Sequence, residues 1–306
     1  MPLSPNLRGS MFMVVSMVTF TSNDAITKFS SESMNMAQVM VVRGIFASLL
    51  ICFLAWRSGA FANPRLIIQP IVAVRAACEA SATVSFLIAL AHLPIANVSA
   101  VLQALPLAVT MGAAMFFGEG VGWRRWLAIM AGFIGVLIIV RPGFEGFSAY
   151  SLMALVCVGF CTIRDLITSK LPPNIPTLLV SCATSIAVTL TGVALIAPMG
   201  GWTPMTLNST LLLMLAAIFV LFGYHFIILA TRTGEMSFIA PFRYTSLLWS
   251  IVLGIVIFYE FPDLPMIVGA TFIVASGLYT LYRERVVGKH RTAAESTGPS
   301  MAPDGL

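Results

Sequence analysis

TSNDAITK (residues 21–28) and TIRDLITS (162–169) carry Thr, Asp, Ile and Thr in the same order at an offset of 141 residues. Thr21, Asp24, Ile26 and Thr27 fall on Thr162, Asp165, Ile167 and Thr168. Apolar stretches resemble one another by chance, so the shared polar residues carry the signal. Outward from that match, Ala89 falls on Ala230, Phe117 on Phe258 and Glu119 on Glu260. One inserted residue then brings Gly135 onto Gly277 and Arg141 onto Arg283. The chain reads as two similar halves, 1–141 and 142–282, followed by a basic tail, 283–306. The tail's RERVVGKHR (283–291) is expected to form a cytoplasmic collar, with disorder beyond it.

Ten apolar segments lie near 9–28, 36–56, 66–91, 96–117, 124–140, 149–169, 176–197, 208–230, 237–258 and 264–282. Each has about the ~20 residues a helix needs to cross a bilayer. With the N-terminus in the cytoplasm, the inner segments hold twelve basic residues, from Arg8, Arg57 and Arg65 through Arg164 and Lys170 to Arg291, and the outer segments hold only Lys28 and Arg141. That asymmetry is the positive-inside pattern. Five spans per half is an odd number, so the second half enters the membrane from the opposite side. The expectation is an all-α integral membrane protein whose ten transmembrane helices form two inverted five-helix repeats. Such repeats mark secondary transporters, with a substrate site near the midplane between the halves.

Composition agrees: 58% of residues are hydrophobic, 9% charged, and mean hydropathy is +0.95. The net charge of +5 reads as topology signal and contact with membrane lipid, and no nucleic-acid partner is expected. Cys52, Cys78, Cys157, Cys161 and Cys182 all lie in apolar segments and read as small core residues with no disulfide. Cys157 and Cys161 stand one turn apart, but no His or carboxylate at ligand spacing completes a metal site, and no cofactor is expected. No phosphate-binding Gly-rich loop points to ATP drive. An intramembrane enzyme would need a nucleophile with a base, or a metal motif. His92, His225 and His290 have no such spacing, so the chain is read as a non-enzyme. A receptor gains nothing from two oppositely oriented halves.

The stretch 89–143, ALAHLPIANVSAVLQALPLAVTMGAAMFFGEGVGWRRWLAIMAGFIGVLIIVRPG, resembles the EamA repeat of the drug/metabolite transporter superfamily. It has the Ala-Leu near the end of the third span, Leu-Pro inside the fourth, Gly-Glu at its end, a Trp opening the fifth, and a closing Arg-Pro. Residues 236–285 carry a looser copy, with Phe-Tyr-Glu at 258–260 and no Pro at the Leu-Pro position. The resemblance implies a bacterial inner-membrane transporter of a small-molecule substrate, with both termini cytoplasmic. The opening SPNLRGSMFMVVSMVTFTSNDAITK (4–28) with VVRGIFASLL (41–50) resembles a subgroup that includes riboflavin uptake proteins. Export of amino acids or related metabolites is the alternative the resemblance implies.

Ionisable residues within spans are costly and mark pathways or partners. Asp24 stands four residues before Lys28 on one helix face. It reads either as half of a local ion pair or as a substrate or proton ligand. Asp165, beside Arg164, reads as a solvated helix end. Arg75 and Glu79 are one turn apart. If the helix begins at Pro70, Arg75 can snorkel to the cytoplasm, whereas the deeper Glu79 cannot. Glu79 is therefore the leading carboxylate, with a plain ion pair to Arg75 as the other reading. Arg43 and Arg243 either snorkel or face the cavity, where they would attract carboxylate, phosphate or polarised carbonyl groups. Pro106 and Pro241 are expected to kink their helices. Tyr224, His225, Phe242, Tyr244 and Trp249 either stack on a planar ligand or pack against lipid and core. Ala128, Ala131, Gly132 and Gly135 give close-contact spacing, for the bundle itself or for a homodimer seam.

Overall fold

A computed structural model describes residues 4–59, 61, 64–142, 148–172, 174–233 and 236–287. The expected disordered tail beyond residue 287 lies outside the described residues, as does residue 143 of the closing Arg-Pro-Gly.

Twelve α-helices follow one another among the described residues: α1 (Pro5–Ser30), α2 (Met36–Arg57), α3 (Pro70–His92), α4 (Ile95–Leu102), α5 (Leu105–Phe117), α6 (Trp123–Val140), α7 (Ala149–Ser169), α8 (Thr177–Ile196), α9 (Leu207–Thr233), α10 (Met236–Ile239), α11 (Thr245–Phe258) and α12 (Leu264–Val287). Nine described stretches are long and apolar enough to cross a membrane, counting α4 with α5 as one and Ala240–Phe258 as another. The tenth span, α1, is also long enough at 26 residues but more polar, with Ser10, Ser16, Thr21 and Asn23 buried. Some of its hydroxyls return to the helix's own carbonyls (Ser10 to Asn6, 2.9 Å; Thr21 to Met17, 2.9 Å), so their burial leaves no stray donor.

Local chemistry sets the ends. Ser4 and Asn35 accept from the amides of Leu7 (3.3 Å) and Gln38 (2.8 Å) at the starts of α1 and α2. Pro70 is the first residue of α3, so the third span starts later than expected, and Pro64–Ile68 forms a separate 3₁₀ turn. The fourth span is broken after Leu102, with Pro106 as the second residue of α5. The ninth is broken by a 3₁₀ turn, Ala240–Tyr244, whose second residue is Pro241. α5 closes on Gly118 in the left-handed conformation (φ 66°), and α11 closes on Tyr259 in the same conformation (φ 56°). The next amide then reaches back in each case, Glu119 to Ala113 (3.4 Å) and Glu260 to Gly254 (2.9 Å). Several starts also recur at an offset of 141: Met36 and Thr177, Ile95 and Met236, Trp123 and Leu264.

The most extensive packing joins α1 to α9, α6 to α12, α2 to α8 and α3 to α7, each pairing a helix from before residue 142 with one from after it. At the α6/α12 crossing the backbones touch. A Cβ on Gly135 would lie 2.6 Å from the Gly269 carbonyl, and one on Gly269 would lie 2.5 Å from that of Gly135. Gly132 and Gly135 are thus used within the bundle. Large apolar side chains such as Leu49, Phe116, Leu248 and Val256 stay exposed around it, as a lipid-facing surface requires.

One expectation is overturned here. Cys52 and Cys182 form a disulfide, because the α2/α8 packing brings their Cα atoms to 5.7 Å. Cys78, Cys157 and Cys161 are free and buried.

Candidate functional site

Four charged residues meet where α3 crosses α7. Arg164 donates through Nη1 to Glu79 Oε1 (2.7 Å) and through Nε to Asp165 Oδ1 (2.8 Å). Arg75 donates from Nε to Thr168 Oγ1 (2.9 Å) and from Nη1 to Thr184 Oγ1 on α8 (2.6 Å), and its Nη2 lies 3.8 Å from Glu79 Oε2. Arg164 and Asp165 are fully buried, with Glu79 and Arg75 at 2% and 4% exposure. A buried set of this kind is kept only with close pairing, since removing one partner strands the others.

Three expectations change. Asp165 is not a solvated helix end. α7 continues to Ser169 and turns its Arg164–Asp165 face onto α3. The nearer cation of Glu79 is Arg164, which the charge pattern had assigned to a cytoplasmic loop. Arg75 does not snorkel, because its guanidinium is held by two threonines from neighbouring helices. The lone clue to Arg164 and Asp165 was the match of Asp165 with Asp24, two acids at one repeat position inside a span.

A second polar set lies between α1 and α2. Arg43, 2% exposed, donates to Asn23 Oδ1 (3.3 Å), and Asn23 donates to Asp24 Oδ1 (3.0 Å). Arg43 is therefore held inside the bundle rather than snorkelling. Lys28 does not serve Asp24. Its ammonium pairs with Glu260 (2.6 Å) and donates to the Leu93 carbonyl. Trp249 faces inward and donates to Ser22 Oγ (3.2 Å). Tyr244 is buried against Gly277, where a Cβ would strike its hydroxyl, and that hydroxyl has no hydrogen-bond partner among the described residues. Arg243 sits beside it in the 3₁₀ turn and is half-buried, and its carbonyl accepts from Gln103 (3.4 Å) at the break of the fourth span. Tyr224 packs edge-on against Phe20 (5.2 Å), and Phe242 joins the Met13–Met17 cluster. His225 is exposed, edge-on to the neighbouring Phe226 ring (5.7 Å). Among the described residues no group of His, Cys, Asp and Glu could hold a metal ion.

Each end of the bundle carries a lysine over a phenylalanine. At one end Lys28 lies 5.2 Å from the Phe258 ring and pairs with Glu260, whose Oε2 also accepts from the Ile95 amide (2.9 Å). This contact borders a polar hollow of about 470 Å³ lined by Glu32, His92 and Pro94. At the other end Lys170 lies 4.0 Å from the Phe117 ring, is exposed, and makes no ion pair with Glu119 among the described residues. Beside the Lys28 end, Arg141 pairs with Asp263, which caps α12 through the Met266 amide (3.0 Å). Burial alone would push the Asp263 carboxyl up, but the bonds from Arg141 and the Met266 amide outweigh it and hold the group below the ordinary carboxylate range.

The profile of the EamA-like transporter family matches residues 7–141. Along most of its length the chain is similar to an S-adenosylmethionine uptake transporter of Rickettsia prowazekii, 26% identical over 287 residues that cover 92% of this chain and 95% of that one. A pseudopaline exporter of Pseudomonas aeruginosa is 25% identical over 88% of this chain and 94% of its own. A riboflavin transporter of Vibrio cholerae is 29% identical over 60% of this chain and 61% of its own. A solved crystal structure covers 91% of the chain, and 98% of its own, at a TM-score of 0.59 and 14% identity, a likeness of fold.

Proposed function

The chain belongs to the EamA-like branch of the drug/metabolite transporter superfamily, and from that premise we propose a secondary transporter that moves a small polar metabolite by alternating access between two inverted five-helix halves, 1–141 and 142–282. Such halves exchange shapes, so that a cavity open to one side of the membrane becomes a cavity open to the other.

The observation that carries this reading is the pair of helix ends described above. Gly118–Glu119 and Tyr259–Glu260 repeat one cap at the 141-residue offset, each beside a lysine lying over a phenylalanine. At the Lys28 end the lysine and glutamate are joined, and at the Lys170 end they are apart. Two matching devices in opposite states are what alternating access requires. The joined end closes while the other opens, and a Lys170–Glu119 pair would form as Lys28 and Glu260 separate. In a bacterial inner membrane with both termini cytoplasmic, the Lys28 end faces outward. Reporter fusions test that orientation: those after Arg65, Lys170 and Lys289 should report cytoplasm, and those near Ser31 and Gly201 the outer side.

The substrate class follows from charge. Arg43, Arg75, Arg164 and Arg243 lie within spans, against Asp24, Glu79 and Asp165, leaving one cation in surplus. A low-dielectric interior with surplus guanidinium favours a substrate bearing a carboxylate or comparable anionic group. The relatives matched along most of the chain handle S-adenosylmethionine and pseudopaline, which supports amino-acid-like metabolites. Riboflavin uptake is the second reading, supported by the opening segments and the shorter match. Counterflow in proteoliposomes detects exchange whatever the physiological direction. Labelled S-adenosylmethionine, riboflavin and a panel of amino acids separate the two readings. Monodisperse protein that exchanges no member of a broad anionic and zwitterionic panel would overturn the transporter reading.

A further inference from the structure

We propose that Asp165 is the proton carrier of this transporter, taking a proton onto Oδ2 from water at one face and releasing it to water at the other; the inference rests on the transport reading. The two carboxylates of the α3/α7 cluster are not equivalent. Both oxygens of Glu79 have a cation, Arg164 at 2.7 Å and Arg75 at 3.8 Å. Asp165 makes one ion pair among the described residues, with Arg164 on Oδ1 at 2.8 Å. Its Oδ2 is buried with no hydrogen-bond partner among the described residues, on a residue with no exposed surface.

A buried ionised oxygen without a partner is a costly arrangement in a protein interior. Something that binds there relieves it, and the site's closure limits what that can be. An ammonium group of a substrate needs room beside the carboxylate, whereas a proton needs none. The groups acting on Asp165 are Arg164 on its own helix, Arg75 on α3 and Arg243 in the 3₁₀ turn, with Cys161 and Glu79 beside Arg164 and Thr184 of α8 and Tyr224 of α9 near Arg75. Apart from Glu79, which two arginines already hold, these charged groups among the described residues are cations. When Asp165 is neutral, part of the charge on Arg164 is released from it.

Coupling to an anion follows from Coulomb's law. A substrate carboxylate drawn to these guanidiniums is a like charge to Asp165, so each disfavours the other, and a proton on Asp165 favours the substrate. By reciprocity the bound anion favours the proton. The two would cross together, the proton cancelling the charge of the anion.

The test uses the full-length protein in lipid vesicles and follows the infrared C=O band of a protonated carboxyl as bulk pH changes. Feeding aspartate labelled with carbon-13 at its side-chain carboxyl shifts aspartate bands and leaves glutamate bands in place. Of the four aspartates, Asp24 and Asp165 alone lie in the expected spans. The expected result is a band that titrates apart from the solvent-exposed aspartates, shifts on labelling, persists in Asp24→Asn and is lost in Asp165→Asn. Absence of such a band, a band unmoved by the label, or one lost in Asp24→Asn overturns the proposal. Where Asp165→Asn does not fold, Asp165→Glu replaces it, and the band should then cease to respond to labelled aspartate. The spectra need no substrate, so a negative result here leaves the transporter reading standing, and a failed transport screen leaves the spectra interpretable.

Discussion

The interfaces α3/α7 and α1/α9 each join a helix from before residue 142 to one from after it, and are held by opposite chemistry. At the 141-residue offset, Arg75 and Glu79 of α3 correspond to Ala216 and Val220 of α9, and Arg164 and Asp165 of α7 to Asn23 and Asp24 of α1. α1/α9 packs Met13, Met17, Ile227 and Ala230 into an apolar cluster, with a hydrogen bond across from Ser16 to the Gly223 carbonyl (2.8 Å). α3/α7 meets over a buried network of two arginines and two carboxylates. Since helices pack equally well without the charges in one case, packing alone does not account for the charges in the other. Retention of so costly a set points to use rather than stability.

Breaking the charged side should produce the largest effect. Arg164→Met leaves Glu79 and Asp165 without their shared cation and should cost about 3–5 kcal/mol, read as a fall in melting temperature and a loss of monodisperse protein. The matching change Asn23→Met should cost far less, and equal losses would erase the contrast. Giving α3/α7 the residues of its counterpart, Arg75→Ala with Glu79→Val and Arg164→Asn, should recover most of the lost stability while counterflow stays absent. Recovered exchange would make the network structural only.

On the apolar side the sensitive point is contact. A Cβ on Gly223 would stand 2.7 Å from the Phe20 ring, so Gly223→Ala should destabilise by about 1–3 kcal/mol in thermal melts. A smaller loss, about 1 kcal/mol, is expected for Ser16→Ala, which removes the bond to the Gly223 carbonyl.

The smallest effect lies away from both interfaces and sets a baseline. Asp263 is held below the ordinary carboxylate range, so its contribution is fully present above the unfolded value of about 3.9 and disappears as pH falls through the lower folded value. With its side chain about half exposed (49%), the contribution is slight. Melting temperatures across acid pH should converge between wild type and Asp263→Asn at the acid end, with wild type higher near neutrality.

Position along the chain was legible in the sequence, and position around each helix was not. Span lengths and the proline kinks follow from hydropathy and backbone chemistry, and the observed ends at Met36, Phe117 and Leu264 fall within a residue of those expected. A membrane helix is apolar toward lipid and toward its neighbours alike, so it lacks the one-sided pattern that tells which face turns inward. That is why Asp165 reads as solvated, why His225 is left between stacking on a ligand and packing, and why Lys28 stands as one of two readings for the partner of Asp24. The disulfide of Cys52 with Cys182 was hidden for the same reason, since only the pairing of α2 with α8 brings them together.

The α6/α12 crossing has a mechanical consequence. Gly135 and Gly269 leave each helix resting on the other's carbonyl, with the side chains of Ile139, Phe272 and Ile273 closing in around the contact. Elsewhere one helix turning on another must re-sort interlocked rotamers, like teeth passing through a gear. At the carbonyl contact itself no such teeth are engaged, and a Cβ at either glycine would act as a wedge between the two backbones.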